Sequence, residues 1–482
     1  MSIQFLLSRR QIVKDMGLAA GAALLWSLGG CEQIIQIIEN RRVRRSVSNL
    51  ASNDPALQTY KAAIVAMKAL PSNDPRNWTN QASIHFNHCS HRNWYLLPWH
   101  RAYLLFFEEI CQKLGGDDKF ALPYWNWTAN PSVPAAFWGG TSNPLFDNTR
   151  QIGPNDTADP SWVGPSVLEG ILNEPDFYVF ASGKVSGQRD SDTQGELEST
   201  PHNNIHVWIS GDMGTFMSPL DPIFWQHHGM IDDCWVEWNL NRNHPNVDDP
   251  SWLNFTFSEF VDGNGSPVKV SVSDTILYPI FQYRYEPSQM GTHISTEPKI
   301  RNRGEAVKLE KFLRKGAPPR LEFTNRYQLS RALTLEGGRP LVNSLTLEEA
   351  HIRPALAATA TERLVLTLKN VELPQTADYF VRVFVNKIDA SPQTPIEDPH
   401  YAGSFGFFVD PKSPHAQDAG QKAAIAVDIS DALKRLAVSG ALSTMSSVDV
   451  QLVPVPFAGR SAVGQRFLFE GLELAIAKVR PF

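Results

Sequence analysis

Histidine is the residue type with the most chemical potential in this chain. The 482-residue sequence contains 13 histidines, and eight of them fall in two short stretches. These eight are His85, His88, His91, His100, His202, His206, His227 and His228. A buried imidazole costs free energy unless it is hydrogen-bonded or bound to a metal. The clustering therefore predicts a metal centre built mainly from imidazoles.

The downstream stretch begins with a predicted helix that carries two of these histidines. Thr200 and Pro201 are of the types that favour the N-cap and the first position of a helix. His202 and His206 are four residues apart and would share one face of that helix, so both imidazoles can point at one ion. Such a pair is a weak signal alone, and its weight comes from the histidines upstream.

A second downstream helix is predicted to begin at Asp221-Pro222. Its apolar seam at helical spacing consists of Phe224, His228, Ile231, Trp235 and Trp238. His228 lies in that seam and is the favoured third ligand. His227 is rotated away by about 100° and is expected to be a neighbour of the site.

The upstream histidines also lie on or between predicted helices. One helix is expected to begin at Asp74-Pro75 and to present His85 on its inner face. Another is expected to begin at Pro98, and His100 heads its apolar seam. His91 falls between the two, on a loop. Two separate helices would thus each bury one histidine, with further histidines nearby.

The number of these side chains indicates two sites of three imidazoles each. No carboxylate lies at ligand spacing with them. All-imidazole ligation suits copper, zinc, iron or nickel and disfavours cations that prefer oxygen ligands. Two adjacent sites with little anionic ligation favour a metal that cycles through a +1 state. This predicts copper, and zinc is the alternative that the residues leave open.

Over roughly residues 50–286, the chain resembles the tyrosinase and polyphenol oxidase family. The segments that carry the resemblance are Trp78–His85, His91 with His100-Arg101, Leu122–Trp127, Pro201–His206, Asp221–Asp232 and Tyr283–Tyr285. The resemblance implies a mainly α catalytic domain, a four-helix bundle that holds a dicopper centre with three histidines for each ion. The implied ligands are His85, His91 and His100 for one ion, and His202, His206 and His228 for the other. His88 would replace His85 if the helix register shifted.

The cysteines support no disulfide framework, since there are only four. Cys89 lies two residues before His91, and the resemblance implies a thioether bond between them, which would fix a ligand ring that lies on a loop. A free buried thiol is the alternative. Cys111 and Cys234 are expected to be buried apolar side chains.

Four further residues are candidates for roles in the reaction. The resemblance implies that Glu198 and Asn203 hold a water that deprotonates an incoming phenol. A carboxylate-polarised water is a suitable base for a phenol whose pKa is about 10. Phe216 matches the aromatic substrate gate of the plant enzymes, and Val207 offers the substrate no polar group. The plainer alternatives are a helix-terminus charge for Glu198, an ordinary polar role for Asn203 and core packing for Phe216.

After Tyr285 the pattern becomes strand-like. Predicted strands lie within Arg363–Asn386, Gly403–Val409, Ala423–Ile429, Ser447–Val455 and Arg466–Ala477. They indicate an all-β C-terminal sandwich. Tyr401–Phe405 resembles the C-terminal domain of plant polyphenol oxidases, which shields the active site until it is displaced or cleaved; a permanent binding or structural domain is the alternative. The predicted domains are 32–290 (catalytic), 291–345 (connector and first strands) and 346–482 (sandwich).

Residues 1–31 are predicted to be an export signal. Arg9-Arg10 precedes an apolar run from Met16 to Gly30, whose 15 residues are fewer than the roughly 20 that span a membrane. This pattern predicts export by the twin-arginine route to the periplasm or the extracellular space; a short buried helix is the alternative. Leu28–Cys31 resembles a lipoprotein cleavage box, with Cys31 as the lipid-anchored residue. Arg41–Arg45 is expected to be a solvated linker.

The predicted function is that of a polyphenol oxidase that acts on a small phenol with O2. It would oxidise o-diphenols, and ortho-hydroxylate monophenols, to o-quinones at two copper ions. A catechol oxidase without hydroxylation and a hemocyanin-like oxygen carrier are the alternatives, and a zinc hydrolase is disfavoured because no carboxylate base accompanies the ligands. The net charge of -6 gives no reason to expect nucleic acid as a partner. The natural phenol and the oligomeric state stay open.

Overall fold

The computed structural model describes residues 40–184, 193–287, 321–357, 362–374, 378–414, 423–442 and 446–479. The predicted export signal, including Arg9-Arg10 and Cys31, lies outside these residues. In the ranges just given, no helix is long and apolar enough to cross a membrane.

The first part of the chain is mainly helical. Its helices are α1 (Pro55–Ala69), α2 (Trp78–His88), α3 (Leu96–Gly115), α4 (Pro160–Val163), α5 (Pro165–Asn173), α6 (Phe177–Phe180), α7 (Asn203–Ile209), α8 (Ile223–Val236), α9 (Pro250–Leu253) and α10 (Val272–Phe281). Its short strands are β1 (Arg42–Arg44), β2 (Thr193–Gln194), β3 (Thr256–Phe257), β4 (Val270–Ser271) and β5 (Tyr283–Tyr285). The helix α3 is buried along most of its length and packs against α1, α8 and α10. The predicted helical core is therefore confirmed.

The starts of these helices follow the capping signals only in part. Asp54 caps α1, since its carboxylate accepts the Ala56 N–H. The helix α2 begins after Asn77, whose side chain accepts the Thr79 N–H, and the predicted start at Asp74-Pro75 is wrong. Asp74 instead forms an ion pair with Arg76.

The prediction that Pro98 begins α3 is also wrong, because the helix starts two residues earlier at Leu96. Proline is tolerated within a first turn, where the backbone N–H groups have no partner inside the helix. The helix α8 begins at Ile223, directly after the predicted Asp221-Pro222, and the Asp221 carboxylate accepts the Ile223 N–H.

The segment that leads into α7 differs most from the prediction. Glu198–His202 forms a turn of π-helix with Pro201 inside it, and the α-helix starts only at Asn203. Thr200 is therefore not the N-cap. Its hydroxyl donates to the carbonyl of Ser404, in the C-terminal domain. A π turn of this kind is often found at functional sites.

The basic segment Arg41–Arg45 is not the solvated linker that its composition indicates. The strand β1 pairs in parallel with β5 and ties the beginning of the described chain to the end of the helical part. Arg44 is fully buried and donates to Glu108 at 2.9 Å and to the Tyr285 hydroxyl at 3.0 Å. A buried arginine of this kind is stable only because acceptors surround it.

The C-terminal part is a sandwich of two sheets, as predicted. Its strands are β6 (Leu321–Leu329), β7 (Leu333–Glu336), β8 (Leu341–Thr346), β9 (Arg363–Val371), β10 (Tyr379–Val385), β11 (Tyr401–Phe405), β12 (Ala423–Asp428), β13 (Ser447–Pro456), β14 (Arg466–Phe469) and β15 (Gly471–Val479). Among the described residues, one sheet has the order β11-β10-β13-β8 and the other β2-β12-β9-β15-β6. Two helices, α11 (Glu349–Ala355) and α12 (Ser430–Val438), accompany them.

Two of the predicted strands have different ends. The run predicted from Arg466 to Ala477 is divided at Glu470 into β14, which pairs with β7 in a separate two-stranded sheet, and β15, which pairs with β6 and β9. The strand β11 ends at Phe405 rather than at Val409. The residues after Phe405 leave the sheet and cross to the helical part.

The helical part also contributes an edge strand to the sandwich. The strand β2 pairs in parallel with β12, with Ala424 opposite Thr193 and Ile425 opposite Gln194. Gln194 lies only a few residues before the π turn that leads to α7. The sandwich is thus attached beside the histidine cluster.

Candidate metal centre

The structure brings the six predicted ligands together from four helices and one loop. His85 lies on α2, His100 on α3 and His228 on α8, whereas His91 follows α2 on a loop. His202 ends the π turn, and His206 lies on α7. Their side chains meet in the interior of the helical part.

The six rings form one cluster, which contains both of the predicted sets of three. In the first group, the ring centroids of His85, His91 and His100 are 5.2, 5.3 and 5.5 Å apart. In the second, those of His202, His206 and His228 are 4.7, 5.1 and 5.3 Å apart. The groups adjoin each other, since the rings of His100 and His228 are stacked at 4.3 Å. Contacts between the two sets are as close as contacts within them, since the rings of His91 and His202 also lie 5.4 Å apart, so the assignment of three histidines to each ion stays a prediction.

Hydrogen bonds fix four of the rings with the same nitrogen turned away from the cluster. The Nδ1–H groups of His85, His100 and His206 donate to the carbonyls of Phe216, Leu96 and Met213 at 2.7, 2.8 and 2.9 Å. His202 Nδ1 lies 2.9 Å from the side-chain oxygen of Asn203. A proton on Nδ1 leaves the lone pair on Nε2, the arrangement of a metal-ligating histidine with an outer hydrogen-bond partner.

Three of the nitrogens that face the cluster have no hydrogen-bond partner among the described residues. The Nε2 atoms of His91, His100 and His202 are buried and form no hydrogen bond with the described residues. His206 Nε2 lies 3.2 Å from His228 Nε2. Buried acceptors that point at one another are costly unless a cation lies between them. The donor set therefore fits a metal that prefers imidazole, such as copper.

Burial lowers the pKa of these imidazoles. For His91, His100, His206 and His228 the pKa is well below its ordinary value because of burial, and the neighbouring imidazoles lower it further. Burial lowers the pKa of His202 to about 4. The rings are thus neutral at neutral pH, as metal ligands must be.

His88 and His227, the other two histidines of these sequence stretches, have different surroundings. His88 is exposed at the end of α2 and is not part of the group, which favours His85 as the residue that α2 turns inward. His227 is fully buried, and its potential ligand atom lies within 4.8 Å of those of His202, His206 and His228. His227 therefore lies inside the cluster, whereas its position beside the apolar seam of α8 predicted only a neighbour of the site.

Cys89 is buried beside His91. Its sulfur lies 3.4 Å from His91 Nδ1, and Cys89 is a free thiol in this structure, so the predicted thioether stays a prediction. The ligand atoms of His85, Cys89 and His91 lie within 4.8 Å of one another. Cys111 and Cys234 are buried in apolar surroundings, as predicted.

Glu198 is buried and held on both carboxylate oxygens. One oxygen accepts the backbone N–H of Arg92 at 2.7 Å, and the other accepts the Ser182 hydroxyl. Burial raises the pKa of Glu198 to about 7, although both hydrogen bonds oppose the shift. A carboxyl with this pKa can take up and release a proton near neutral pH.

Asn203 lies between His202 and the C-terminal domain. Its side-chain oxygen faces His202 Nδ1, and its amide nitrogen donates to Gln194 at 3.2 Å and to the carbonyl of Gly406 at 3.1 Å. These contacts determine the orientation of the amide. The sequence could not reveal the contact with Gly406, which is 203 residues away.

The two candidate gate residues lie at the rim of the cluster. The Phe216 ring is 5.0 Å from that of His91 and 6.0 Å from that of His85. The backbone N–H of Phe216 donates to Asp410 of the C-terminal domain at 2.9 Å. Val207 is half-buried, directly after His206 on α7.

A residue that sequence reasoning missed covers the site. The ring of Phe408, from the segment after β11, is stacked on His206 at 4.2 Å. It also lies 5.4 Å from His91, 5.8 Å from His202 and 5.1 Å from Phe216. The only sequence signal was the general resemblance of this segment to a shielding domain.

Comparison with known proteins agrees with both parts of the structure. Residues 63–178 and 149–241 match the common central domain of tyrosinase, and residues 343–465 match the chloroplastic polyphenol oxidase C-terminal domain. The latent form of a chloroplastic polyphenol oxidase from Prunus armeniaca is 30% identical over 448 residues, which cover 83% of this chain and 71% of that protein. A chloroplastic (+)-larreatricin hydroxylase from Larrea tridentata is 29% identical over 476 residues, covering 87% and 76%.

The fold has the same relatives. The structure of latent apple tyrosinase superposes with a TM-score of 0.66 and 22% identity, over 91% of this chain and 97% of that one. The similarity includes both the helical part and the sandwich. The chain belongs to the tyrosinase and polyphenol oxidase family of copper-dependent oxidoreductases, with the C-terminal domain of the plant enzymes.

Proposed function

We propose that this protein is a polyphenol oxidase that uses O2 to oxidise o-diphenols, and to ortho-hydroxylate monophenols, giving o-quinones at a pair of copper ions. The observation that carries this proposal is the meeting of six imidazoles, from two distant stretches of the chain, in one cluster. Neutral imidazoles stabilise the reduced as well as the oxidised ion, as a copper oxidase requires.

We assign His85, His91 and His100 to one ion, and His202, His206 and His228 to the other. His228 is preferred to His227 because its ring also contacts the first group, at 4.3 Å from His100 and 6.4 Å from His85. The ring contacts of His227 in this cluster are with the second group. His228 would therefore hold its ion close to the ligands of the other ion.

When bound, the copper pair supplies the redox chemistry with O2, and the chain positions and deprotonates the phenol. Glu198 is proposed to hold the water that deprotonates the phenol, and its pKa of about 7 lets the carboxyl take up that proton near neutral pH. Asn203 is a positioning residue that orients the His202 ring and the water beside Glu198. Phe216 and Val207 bound the entrance and offer a phenol ring apolar contacts.

Support for hydroxylation as well as oxidation comes from the relatives and from the residues. One relative is named as a hydroxylase, and both members of the predicted base pair, Glu198 and Asn203, are present and buried. A catechol oxidase without hydroxylation is the second candidate. It would be favoured if the hydrogen bonds of Asn203 to Gln194 and Gly406 keep its amide away from a water.

We further propose that the C-terminal domain keeps the enzyme latent. Phe408 occupies the apolar space above His206 where a phenol ring would lie. The segment around it is fastened on both sides, by Gly406 to Ser199 and by Asp410 to Phe216. A substrate can reach the copper pair only after this segment moves.

Copper content and oxygen uptake test the proposal. The purified full chain is loaded with copper, and metal per chain is measured for wild type, His85→Ala and His88→Ala. We expect two ions for wild type and His88→Ala and a loss for His85→Ala. Oxygen uptake is then followed with a monophenol and with a catechol, before and after limited proteolysis. Reversible O2 binding without uptake would indicate a carrier and contradict the proposal.

We also infer export by the twin-arginine route and lipid attachment at Cys31. The support is the order Arg9-Arg10, apolar run and Leu28–Cys31 in the sequence. Fractionation of a bacterial host that expresses wild type or the Arg9→Lys, Arg10→Lys double variant tests the route. Retention of the double variant in the cytoplasm is expected, and equal export of both would contradict the inference. Loss of the membrane-bound fraction in Cys31→Ala tests the anchor.

A further inference from the structure

The helical segment that carries His202 and His206 depends on contacts with other parts of the molecule. The α-helical part, α7, has seven residues, and a π turn that contains Pro201 precedes it. Ser210 follows with φ 59° and ψ -159°, a conformation that is close to glycine-only. Helices shorter than about 12 residues are marginal in isolation. Other parts of the molecule must therefore hold α7 in place.

The C-terminal domain contacts the last turn of this helix through one arginine. Arg460 Nη1 donates to the carbonyl of Val207, and Nη2 donates to the carbonyl of Trp208, both at 2.7 Å. The last four carbonyls of a helix have no partner within it and form the negative end of its dipole. A planar guanidinium suits two adjacent acceptors, and bonds from a charged donor are stronger than neutral ones.

The same domain also contacts the beginning of the helix. The N–H of Gly406 donates to the carbonyl of Ser199 at 2.6 Å, and the Asn203 amide donates to the carbonyl of Gly406 at 3.1 Å. A side chain at position 406 would be impossible without movement, because its Cβ would lie 1.9 Å from Asn204 Oδ1. The strand end near Gly406 and the side chain of Arg460 thus support α7 from opposite ends.

We propose that Arg460 is a positioning residue of the metal centre, which caps α7 and thereby holds His206. The C-terminal domain then has two opposite effects on the same site. Phe408 covers the site and blocks substrate, whereas Arg460 stabilises the helix that supplies its ligands. Loss of the Phe408 ring alone opens a well-ordered site. Loss of the whole domain opens a site whose second group of histidines is less firmly held.

Two arginines of the domain offer a matched comparison. Arg382 also crosses the interface, and its Nη2 donates to both carboxylate oxygens of Asp159, the N-cap of α4, at 3.0 and 2.8 Å, without a hydrogen bond to α7 in the described residues. The test uses the full chain as wild type, Arg460→Met, Arg460→Lys and Arg382→Met. Amide hydrogen exchange over residues 203–211 is measured by mass spectrometry. The rate of copper release to a chelator is measured on the loaded proteins.

We expect Arg460→Met to raise exchange over 203–211 and copper release by about tenfold, the scale of losing hydrogen bonds from a charged donor. Arg460→Lys should fall between it and wild type, since an ammonium keeps the charge but not the fork. Arg382→Met should change neither quantity at α7. Unchanged exchange in Arg460→Met, or an equal rise in Arg382→Met, would overturn the proposal.

The two readouts separate this inference from the proposed function on which its copper part rests. Faster exchange without faster copper release would show a helix cap that does not position a ligand, and would overturn the positioning role. If the wild type binds no copper, the proposed function fails, while the exchange measurement still decides whether Arg460 caps α7.

Discussion

The ring of Phe408 is stacked on the ring of His206, with centroids 4.2 Å apart and planes at 18°. The two residues come from different domains, and the contact places an apolar side chain over a proposed copper ligand. A phenol substrate is a ring of the same size and would need the same space. The contact therefore relates the architecture of the C-terminal domain directly to access to the site.

Replacement of Phe408 by alanine should activate the intact protein. Apparent activity of a protein whose competent state is minor scales with the fraction that is open, so we expect at least about a tenfold rise in initial catechol oxidation. Oxygen uptake by copper-loaded full chain measures it. Phe467→Leu, in the core of the sandwich away from the site, is the control. Equal rates for Phe408→Ala and wild type would contradict a blocking role.

Replacement of Glu198 by glutamine should separate the two reactions. If Glu198 is the base for the phenol proton, monophenol hydroxylation should fall by about 100-fold, a usual scale for loss of a general base. Catechol oxidation should fall much less, because a catechol loses its proton more readily. The measurement is oxygen uptake with each substrate on protease-activated enzyme. Parallel losses with both substrates would point to a structural role for the carboxylate.

Asp232 should be essential for stability although it is not a proposed metal ligand. Its carboxylate accepts from Arg44, Arg101, Tyr283 and Tyr285 in the interior. Asp232→Asn leaves buried guanidinium groups without this counter-charge, and we expect a loss of about 3–5 kcal/mol in the free energy of unfolding. Urea unfolding measures it.

The exposed side of the molecule offers a control for this prediction. Asp74 pairs with Arg76 at 2.7 Å, with each side chain 19% exposed. Asp74→Asn should cost about 1 kcal/mol or less, because solvent screens such a pair. A similar cost for both variants would show that the buried network at Asp232 is no stronger than a surface ion pair.

Glu196 should make the stability of the domain interface fall as pH rises. Burial, and then the charge of Asp428, raise the pKa of Glu196 from 4.5 to about 8. Between these values the folded protein keeps a proton that the unfolded chain releases, so the free energy of unfolding decreases from about pH 4.5 to pH 8. Glu196 accepts the Asp428 N–H across the interface at 2.7 Å. Deprotonation of Glu196 therefore weakens the interface between the two domains.

The variant Glu196→Gln removes this proton linkage. Its Tm should fall less than that of the wild type between pH 5 and pH 8, as measured by thermal unfolding at a series of pH values. Parallel Tm curves for the two proteins would show that Glu196 is ionised in the folded protein throughout this range.

The amino-acid sequence was sufficient for the features that depend on local spacing. The apolar seam of α8 indicated that His228 faces the core, and its ring is buried in the histidine cluster. Alternating patterns also predicted the sandwich. These signals are local, since periodicity and capping act over one or two turns.

Other features were decided by contacts between residues far apart in the chain. Thr200 is a residue type that favours the N-cap, yet its hydroxyl donates to the carbonyl of Ser404. The α-helix begins later, after a π turn. Arg44 lies in a basic segment whose composition predicts a solvated linker, yet its side chain is buried among Glu108, Asp232 and Tyr285. In both cases, hydrogen bonds to residues far away in the chain outweighed the local preference of the sequence.

By itself, the sequence determined which imidazoles are candidates to hold metal and that most of them lie on helices. Only the tertiary structure decided that His88 is turned out to solvent, that His227 joins the cluster, and that Phe408 and Arg460 contact α7 from 200 or more residues away. The physical reason is that a domain interface is made by packing and hydrogen bonds between surfaces. Such surfaces have no period along the chain, so their contacts exist only once both domains are folded.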